Sequence, residues 1–467
     1  MVLRRVSLVM QPILEHTLHM KTAARESSGK IKRIVAPRFG EERYETTLPC
    51  GLFVSVAPRR GFAGKFAMLG FKFGAIDQMF ELPGNKSVRL PEGTAHFLEH
   101  QLFKKKDGDL SDAFGARGAV SNAQTTHTTT SFHFEGVGAF EDNLETLFRL
   151  GFEPWFDKAL VDVERGIIVQ ELVSYRDHPH WMSYQSLMSC MYHRHPVRVD
   201  IVGTEESLAR MTPAALSTAH SLFYHPANAG LFVSGDVDPH DTVELAHELA
   251  TRFARRQLPG TIKRIRVDEP ASIRRAKDGR MMQTALPHVL VGYKDAVSES
   301  MGGEERLRRE TEVGLVLDLM YGRGTAFFDA LYGDGVVTGD FSASYHTEAD
   351  FGYAMVGGET TNPDELVRRL EQRLAEFLRR PVTGADLERK KRKIFGRFLR
   401  NFESAEATAF AHHDAWLSGV DVFDFPRMAE SITAAELLAA AKKLFAPKQR
   451  CVSLVSPRGK RSRAKYK

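Results

Sequence analysis

The sequence predicts an α+β fold built as two halves of similar plan. A chain of 467 residues is too long to fold around one hydrophobic core, so two or three domains are expected. Strand-like and helix-like patterns mix in the first half, and the same mixture starts again after residue 285. A basic, proline-bounded segment between the halves is typical of a linker. The predicted units are an N-terminal arm (1–43), a first domain (44–257), a linker (258–284), a second domain (285–457) and a basic tail (458–467).

The elements of the first half follow from the spacing of its apolar residues. Alternating apolar positions predict strands, and apolar positions three or four apart predict helices. Glycine, proline, asparagine and aspartate mark the turns. The predicted elements are two short strands joined by a turn over 45–56, a strand over 66–73, a helix around 96–100, a strand or hairpin over 120–137, helices over 142–152 and 157–177, a strand over 228–236 and a helix over 242–255.

The second half repeats this mixture of strands and helices. Its patterns predict a strand over 289–293, a largely helical stretch over 304–331, strands within 340–358, helices over 362–379, 383–404 and 434–445, and a closing strand over 451–455. We expect a metal site in the first half only.

Composition indicates an ordinary globular protein and argues against several function classes. Hydrophobic residues make up 43% and charged residues 26% of the chain, with a net charge of +5; these values are common among globular domains. The tail has six basic residues in ten, a run that is usually solvated. No basic surface interleaved with aromatic residues supports nucleic-acid binding. No apolar run is long enough to span a bilayer.

Cysteine usage and the start of the chain bear on the compartment. Cys50, Cys190 and Cys451 are scattered, which disfavours a disulfide framework and favours a reducing compartment. Residues 1–19 begin like a charged signal region, but a proline interrupts the apolar stretch. An organellar transit segment, or initiation at Met20, explains these residues as well. We therefore expect a cytoplasmic protein without membrane or nucleic-acid partners.

One short motif carries the chemistry. His96 and His100 are four residues apart, so on a helix both imidazoles lie on one face and can bind one Zn²⁺. Glu99 precedes the second histidine, where a carboxylate can take a proton from a water molecule activated by the metal. This H-x-x-E-H order is the inverzincin signature. A surface helix with two histidines is the alternative, and a third ligand is needed to exclude it.

A later helix offers that third ligand. Glu164 and Glu171 are seven residues apart, which is two helical turns, so their carboxylates point the same way. Catalytic zinc usually has three protein ligands and one open position. His96, His100 and Glu171 would supply these ligands, and Glu164 would orient a ligand or the base. Two glutamates on a solvated helix face are the alternative interpretation.

These motifs resemble the insulinase or pitrilysin family of zinc metallopeptidases, which includes the mitochondrial processing peptidase. The family pairs H-x-x-E-H with a downstream E-x6-E helix, and Glu164 and Glu171 match that pair. The resemblance extends over the segments 122–132, 223–228 and 235–238, and covers about residues 44–455. It implies two related α/β-sandwich halves that face each other across a cleft and one Zn²⁺ per chain. It also implies hydrolysis of peptides with Glu99 as the base.

The same resemblance assigns a substrate-binding strand. Asn122, Ala123 and Thr125 match the family's strand beside the cleft, where an extended peptide adds to the sheet edge. There the small Ala123 permits close approach and the Asn122 amide can bind a substrate carbonyl. An edge strand protected by polar side chains is the alternative. His127, His133, His193, His195 and the pair His412–His413 lack chelating partners at useful spacing, and we expect them to be surface or capping groups.

The second half departs from the family pattern. Self-sufficient members carry an arginine and, seven residues later, a tyrosine, which stabilise charge on the scissile carbonyl. Tyr332 and Gly339 stand at those positions. We therefore expect a related zinc-free subunit to supply the pair in trans, or a homodimer. Tyr345 as a substitute in a self-sufficient oligopeptidase, and a non-catalytic binding or scaffold subunit, remain alternatives. Within the family the chain resembles a bacterial branch associated with modification of elongation factor P.

Overall fold

The computed structural model describes residues 30–84, 86–254, 262–297, 300–380 and 382–458. The strands are β1 Lys32–Ala36, β2 Glu41–Thr47, β3 Phe53–Pro58, β4 Lys65–Phe71, β5 Met79–Leu82, β6 Lys86–Arg89, β7 Lys104–Lys105, β8 Gly108–Asp109, β9 Val120–Thr125, β10 Thr130–Gly136, β11 Ala229–Gly235, β12 Lys263–Arg264, β13 Lys277–Met282, β14 His288–Asp295, β15 Ser342–Thr347, β16 Gly352–Glu359 and β17 Arg450–Pro457.

Helices cover and connect the sheets. Their bounds are α1 Thr94–Leu102, α2 Leu110–Ala116, α3 Phe140–Phe152, α4 Lys158–Arg176, α5 Pro179–Met191, α6 Glu205–Ala209, α7 Pro213–Phe223, α8 Pro239–Phe253, α9 Gly303–Tyr321, α10 Ala326–Gly333, α11 Pro363–Arg379, α12 Gly384–Arg400, α13 Ala405–Ser418, α14 Asp424–Ser431 and α15 Ala434–Leu444. None of these described helices is long and apolar enough to cross a membrane.

A seven-stranded sheet organises the first half. Its strand order is β1-β2-β3-β11-β4-β10-β9, and only the β3–β11 pair is parallel. One face packs against α1, α3 and α8, where Leu69, Phe71 and Phe132 are fully buried. Phe66 and Met68 alternate with these residues on β4 and are buried on the opposite face. Because both faces are covered, the strand is a continuous apolar run, as a doubly buried strand requires.

A five-stranded sheet organises the second half, in the order β13-β17-β14-β16-β15. It too has one parallel pair, β13–β17. Val289 and Val291 of β14 enter a core shared with helices α9, α11 and α15. The two open sheets with helices packed on them confirm the predicted α+β class with two related halves.

One helix of each half packs against the sheet of the other half. Helix α5, which follows the predicted ligand helix of the first half, packs on β14 and β17 of the second sheet. Helix α13, near the end of the second half, packs on β4 and β11 of the first sheet. Glycines permit the close approach: a Cβ at Gly70 would lie 2.6 Å from His413 Nε2, and one at Gly292 would lie 2.9 Å from Leu187 Cδ1. The two halves are therefore interlocked.

Several elements differ from those predicted. Residues 32–36 and 41–47, assigned mostly to an arm, pair as a charged edge hairpin whose polarity hides its strand character. Residues 277–282 of the predicted linker form β13. The stretch 304–331 is broken into α9 and α10 at Gly322–Thr325, and helices α2, α5, α6, α7, α13 and α14 have no counterpart in the prediction. Residues 1–29 of the predicted arm, including the start over 1–19, and residues 459–467 of the basic tail lie outside the described residues.

Candidate active site

Helix α1 carries the H-x-x-E-H motif and starts at a position that only glycine tolerates. Gly93 has a φ of 83°, and a Cβ there would lie 2.3 Å from the Val202 carbonyl oxygen. The helix therefore begins in close contact with the loop before α6. His96 and His100 lie on one face of α1, with ring centroids 4.6 Å apart, as the four-residue spacing requires.

Glu171 of α4 lies opposite the two imidazoles. His96 Nε2 is 3.7 Å from Glu171 Oε1, and His100 Nε2 is 3.5 Å from Glu171 Oε2. These separations exceed ordinary hydrogen bonds, but they suit ligands that share one ion. Two zinc bonds of about 2.0–2.1 Å at a tetrahedral angle place their ligand atoms about 3.4 Å apart. The structure thus brings together the three side chains that the sequence analysis names as ligands.

An unsatisfied carboxylate oxygen of this group also fits a metal ion. Glu171 Oε2, which is 3.5 Å from His100 Nε2, is buried and has no hydrogen-bond partner in the part of the chain described. Burial and the neighbouring His100 lower the pKa of His96 to about 3, so its imidazole is neutral and can donate a lone pair at neutral pH. The donor set of two imidazoles and one carboxylate is that of a catalytic zinc site.

Glu164 contacts His100 from the side away from Glu171. Its Oε1 is 2.9 Å from His100 Nδ1, a contact that leaves Nε2 directed at the predicted metal position. Burial opposes a charge on His100, but the Glu164 hydrogen bond, together with Glu99 and Glu171, raises the pKa of the imidazole overall. Glu164, predicted to orient a ligand or the base, is therefore a positioning residue that acts through His100.

Glu99, the predicted base, is held by the neighbouring strand β9. Its Oε2 accepts a 2.5 Å hydrogen bond from the Thr125 hydroxyl. Burial raises the pKa of Glu99, and the Thr125 hydrogen bond opposes that increase. Thr125, predicted to bind substrate, therefore contacts the predicted base directly.

The other two predicted substrate residues lie along the same strand. β9 pairs only with β10 and forms one edge of the first sheet, beside α1. Asn122 is exposed, and its side-chain oxygen accepts a 2.8 Å hydrogen bond from the Ala123 N–H. The Asn122 side-chain oxygen is thus hydrogen-bonded within β9, and its NH₂ group is the donor available to a substrate carbonyl.

Sequence reasoning missed a further contact to the third ligand. The Tyr175 hydroxyl donates a 3.0 Å hydrogen bond to Glu171 Oε1. Tyr175 is four residues after Glu171 on α4, so the i, i+4 spacing on a helix could have indicated this contact. The hydrogen bond from Thr125 to Glu99 had no such signal in the local sequence, because the two residues belong to different elements.

The second-half positions contain no arginine–tyrosine pair. Tyr332, in the last turn of α10, has 58% of its surface exposed, and the Gly339 carbonyl accepts a hydrogen bond from the Arg323 guanidinium. Tyr345, the suggested substitute, is buried and donates a 2.6 Å hydrogen bond to Asp295, which also binds Arg309. The Tyr345 hydroxyl is therefore hydrogen-bonded within the core of the second half.

The histidines without chelating spacing prove to be of two kinds. His195 Nδ1 accepts the Val197 N–H, a capping role as predicted. His412 and His413 are buried against the first sheet, so the expectation that they are surface groups was wrong. They belong to α13, whose packing partner lies far away in sequence.

Two family models and several known proteins match the chain. A family model described as insulinase (peptidase family M16) matches residues 90–205, and one described as peptidase M16 inactive domain matches residues 210–394. The uncharacterized zinc protease YmfH of Bacillus subtilis is 34% identical over 429 residues, which is 92% of this chain and 100% of that protein. The zinc protease PqqE of Helicobacter pylori is 22% identical over 405 residues, 82% of this chain and 87% of that protein.

Solved structures share the fold. A putative M16-like peptidase from Alicyclobacillus acidocaldarius superposes with a TM-score of 0.86 at 30% identity, covering 91% of this chain and 99% of that one. A protease from Helicobacter pylori superposes with a TM-score of 0.78 at 19% identity, covering 89% and 100%.

Proposed function

Since the chain belongs to the insulinase family, peptidase family M16, we propose that it is a zinc-dependent endopeptidase that hydrolyses extended peptides or unfolded segments. The convergence of His96, His100 and Glu171, with their ligand atoms within 4.8 Å of one another, carries this proposal. One zinc ion bound by these three side chains would supply Lewis acidity toward water and the scissile carbonyl.

The protein's own residues perform the proton transfers. Glu99 takes the proton from the attacking water and returns it to the leaving amine, the usual task of a carboxylate beside a catalytic metal. Thr125 holds the Glu99 carboxylate in place, and Glu164 holds His100. The β9 edge beside α1 supports binding of the substrate as an added strand, because an edge strand offers unpaired backbone groups.

Replacing the base separates metal binding from turnover. Glu99→Gln should retain one zinc at the first site and lose cleavage of an unfolded peptide, since the amide cannot accept the proton. Glu141→Gln, an exposed carboxylate on α3, is the matched control and should retain full activity. An active Glu99→Gln variant would show that the base is another group. A wild-type chain that binds zinc at this site without cleaving any peptide would favour a non-catalytic binding subunit instead.

We further propose that the chain is the catalytic subunit of a heterodimer with a related zinc-free partner. Tyr332 carries no fixed positive charge, Gly339 has no side chain, and Tyr345 is hydrogen-bonded in the core. A second copy of this chain would bring the same residues, so a homodimer does not supply the missing arginine and tyrosine. The test is to assay peptide cleavage by the pure chain alone and with family members encoded beside it. Full activity of the lone chain would favour a self-sufficient oligopeptidase.

A reducing compartment, most simply the cytoplasm, is part of this proposal. Cys50, Cys190 and Cys451 are all free thiols in the structure, and free cysteines are common where disulfides are not maintained.

A further inference from the structure

A second group of metal-ligand side chains lies where the two halves meet. His180 is the second residue of α5 in the first half, His288 opens β14 in the second half, and Asp340 lies in the loop before β15. Each offers one ligand atom, and the three atoms lie within 4.8 Å of one another. The group shares no residue with the first site.

The distances in this group match those of the first site. Asp340 Oδ2 is 3.5 Å from His180 Nδ1 and 3.6 Å from His288 Nε2, and the two rings are 4.4 Å apart. These atoms stand too far apart for good hydrogen bonds. They are close to the separation of about 3.4 Å expected for two ligands on one tetrahedral zinc.

Neighbouring groups orient the carboxylate toward the imidazoles. Asp340 Oδ1 accepts hydrogen bonds from the Glu359 N–H at 2.8 Å and from the Thr338 hydroxyl at 3.0 Å. These bonds fix the carboxylate and leave Oδ2 facing both rings. Glu359 Oε1 is 3.6 Å from His180 Nε2, on the ring nitrogen opposite the one that faces Asp340.

His288 is the buried member of the group and has no other use for its ring. It is 4% exposed, and its Nδ1 has no hydrogen-bond partner within the described chain. Its Nε2 faces Asp340 Oδ2 at 3.6 Å and is the nitrogen available to an ion.

We propose that His180, His288 and Asp340 form a second divalent-metal site, of the zinc type, that links the two halves. Two imidazoles and one carboxylate are ligands that Zn²⁺ accepts readily, and the half-exposed His180 leaves room for a water as the fourth ligand. The bound ion connects α5 of the first half to β14 and the Asp340 loop of the second half. Since α5 follows directly after α4, which carries Glu171, the ion also restrains the helix pair behind the first site.

Metal stoichiometry of the full-length protein tests the proposal. Wild-type chain saturated with zinc and freed of excess metal should contain two zinc ions. His180→Ala and Asp340→Asn should each contain one, and should show a smaller zinc-induced rise in melting temperature. His178→Ala, an exposed histidine two residues away, is the matched control and should still bind two. His96→Ala should lose the first ion and keep the second.

The outcomes distinguish the two sites. A wild-type chain that binds a single zinc, or a His180→Ala variant that binds as much zinc as the wild type, would overturn the second site. Loss of one zinc in His180→Ala together with intact peptide cleavage would support a structural link independent of the proposed activity. Cobalt substitution gives a second readout, because the visible absorption per protein chain should fall by about half in Asp340→Asn if the two sites absorb similarly.

Discussion

The Thr125 hydroxyl donates a 2.5 Å hydrogen bond to Oε2 of Glu99, which joins the edge strand β9 to the helix that carries the metal motif. Replacing Thr125 by Val removes this donor from a buried carboxylate while keeping the side-chain shape. We expect kcat to fall about 10–100-fold, the usual cost of losing an orienting partner, with zinc content unchanged. Thr125→Ser keeps the hydroxyl and should retain most of the activity. Equal losses in the Val and Ser variants would show that the hydroxyl is not what matters.

Glu164 should affect activity through His100. Glu164→Gln removes the charge 2.9 Å from His100 Nδ1, so the imidazole becomes a weaker and less fixed ligand. We expect zinc affinity to fall about tenfold or more, measured by competition with a chromophoric chelator. Asp162→Asn, on the same helix but exposed, provides the comparison and should leave affinity unchanged. If the two variants bind zinc equally well, Glu164 has no orienting role.

Lys105 should make stability depend on pH. Burial lowers its pKa in the folded chain to about 7, against about 10.4 in the unfolded chain. The unfolded chain therefore binds the proton more tightly between these values, so the wild type gains stability as pH rises from about 7 to about 10, by up to about 4 kcal/mol.

Lys105→Met removes this titration. The melting temperature of the variant relative to the wild type should be highest near pH 6 and fall steadily toward pH 10. Lys106→Met, at the exposed neighbouring position, should show no such trend. A constant difference between Lys105→Met and the wild type across this range would contradict the lowered pKa.

Gly70 should be intolerant of a side chain because α13 lies against it. The Cβ of Gly70→Ala would meet His413 Nε2 at 2.6 Å, and the His413 ring is buried. We expect a loss of about 1–3 kcal/mol in the free energy of unfolding, typical of an overpacked core. Gly314→Ala, on an exposed face of α9 with no atom within 4 Å, should be neutral or slightly stabilising. Denaturant unfolding followed by tryptophan fluorescence would measure both.

The metal motif could be predicted because its information is local. Helical spacing alone places His96 and His100 on one face, and the resemblance to a known family adds Glu171 across a long gap. The Tyr175–Glu171 contact was within reach of the same reasoning. By contrast, His180, His288 and Asp340 come from three separate segments, and each has an ordinary sequence context. Only the folded topology shows that they meet.

The same limit explains the errors in the fold. In the hairpin β1–β2, β2 is polar along almost its whole length and β1 has only five residues, so alternation gave little signal and the sequence suggested an arm. Helix α5 is apolar over much of its length because it is covered by the second sheet, a partner that the sequence of the first half does not contain. The buried His412 and His413 were expected at the surface for the same reason.

The exchange of helices between the halves has a consequence for biosynthesis. When the N-terminal sheet leaves the ribosome, its outer face, with Phe66, Met68 and Phe232, has no cover until residues 405–418 emerge. Helix α5 is synthesised much earlier than β14 and β17, the strands on which it packs. Chains truncated before residue 405 leave this apolar sheet face uncovered, so they should aggregate rather than accumulate as a soluble first half.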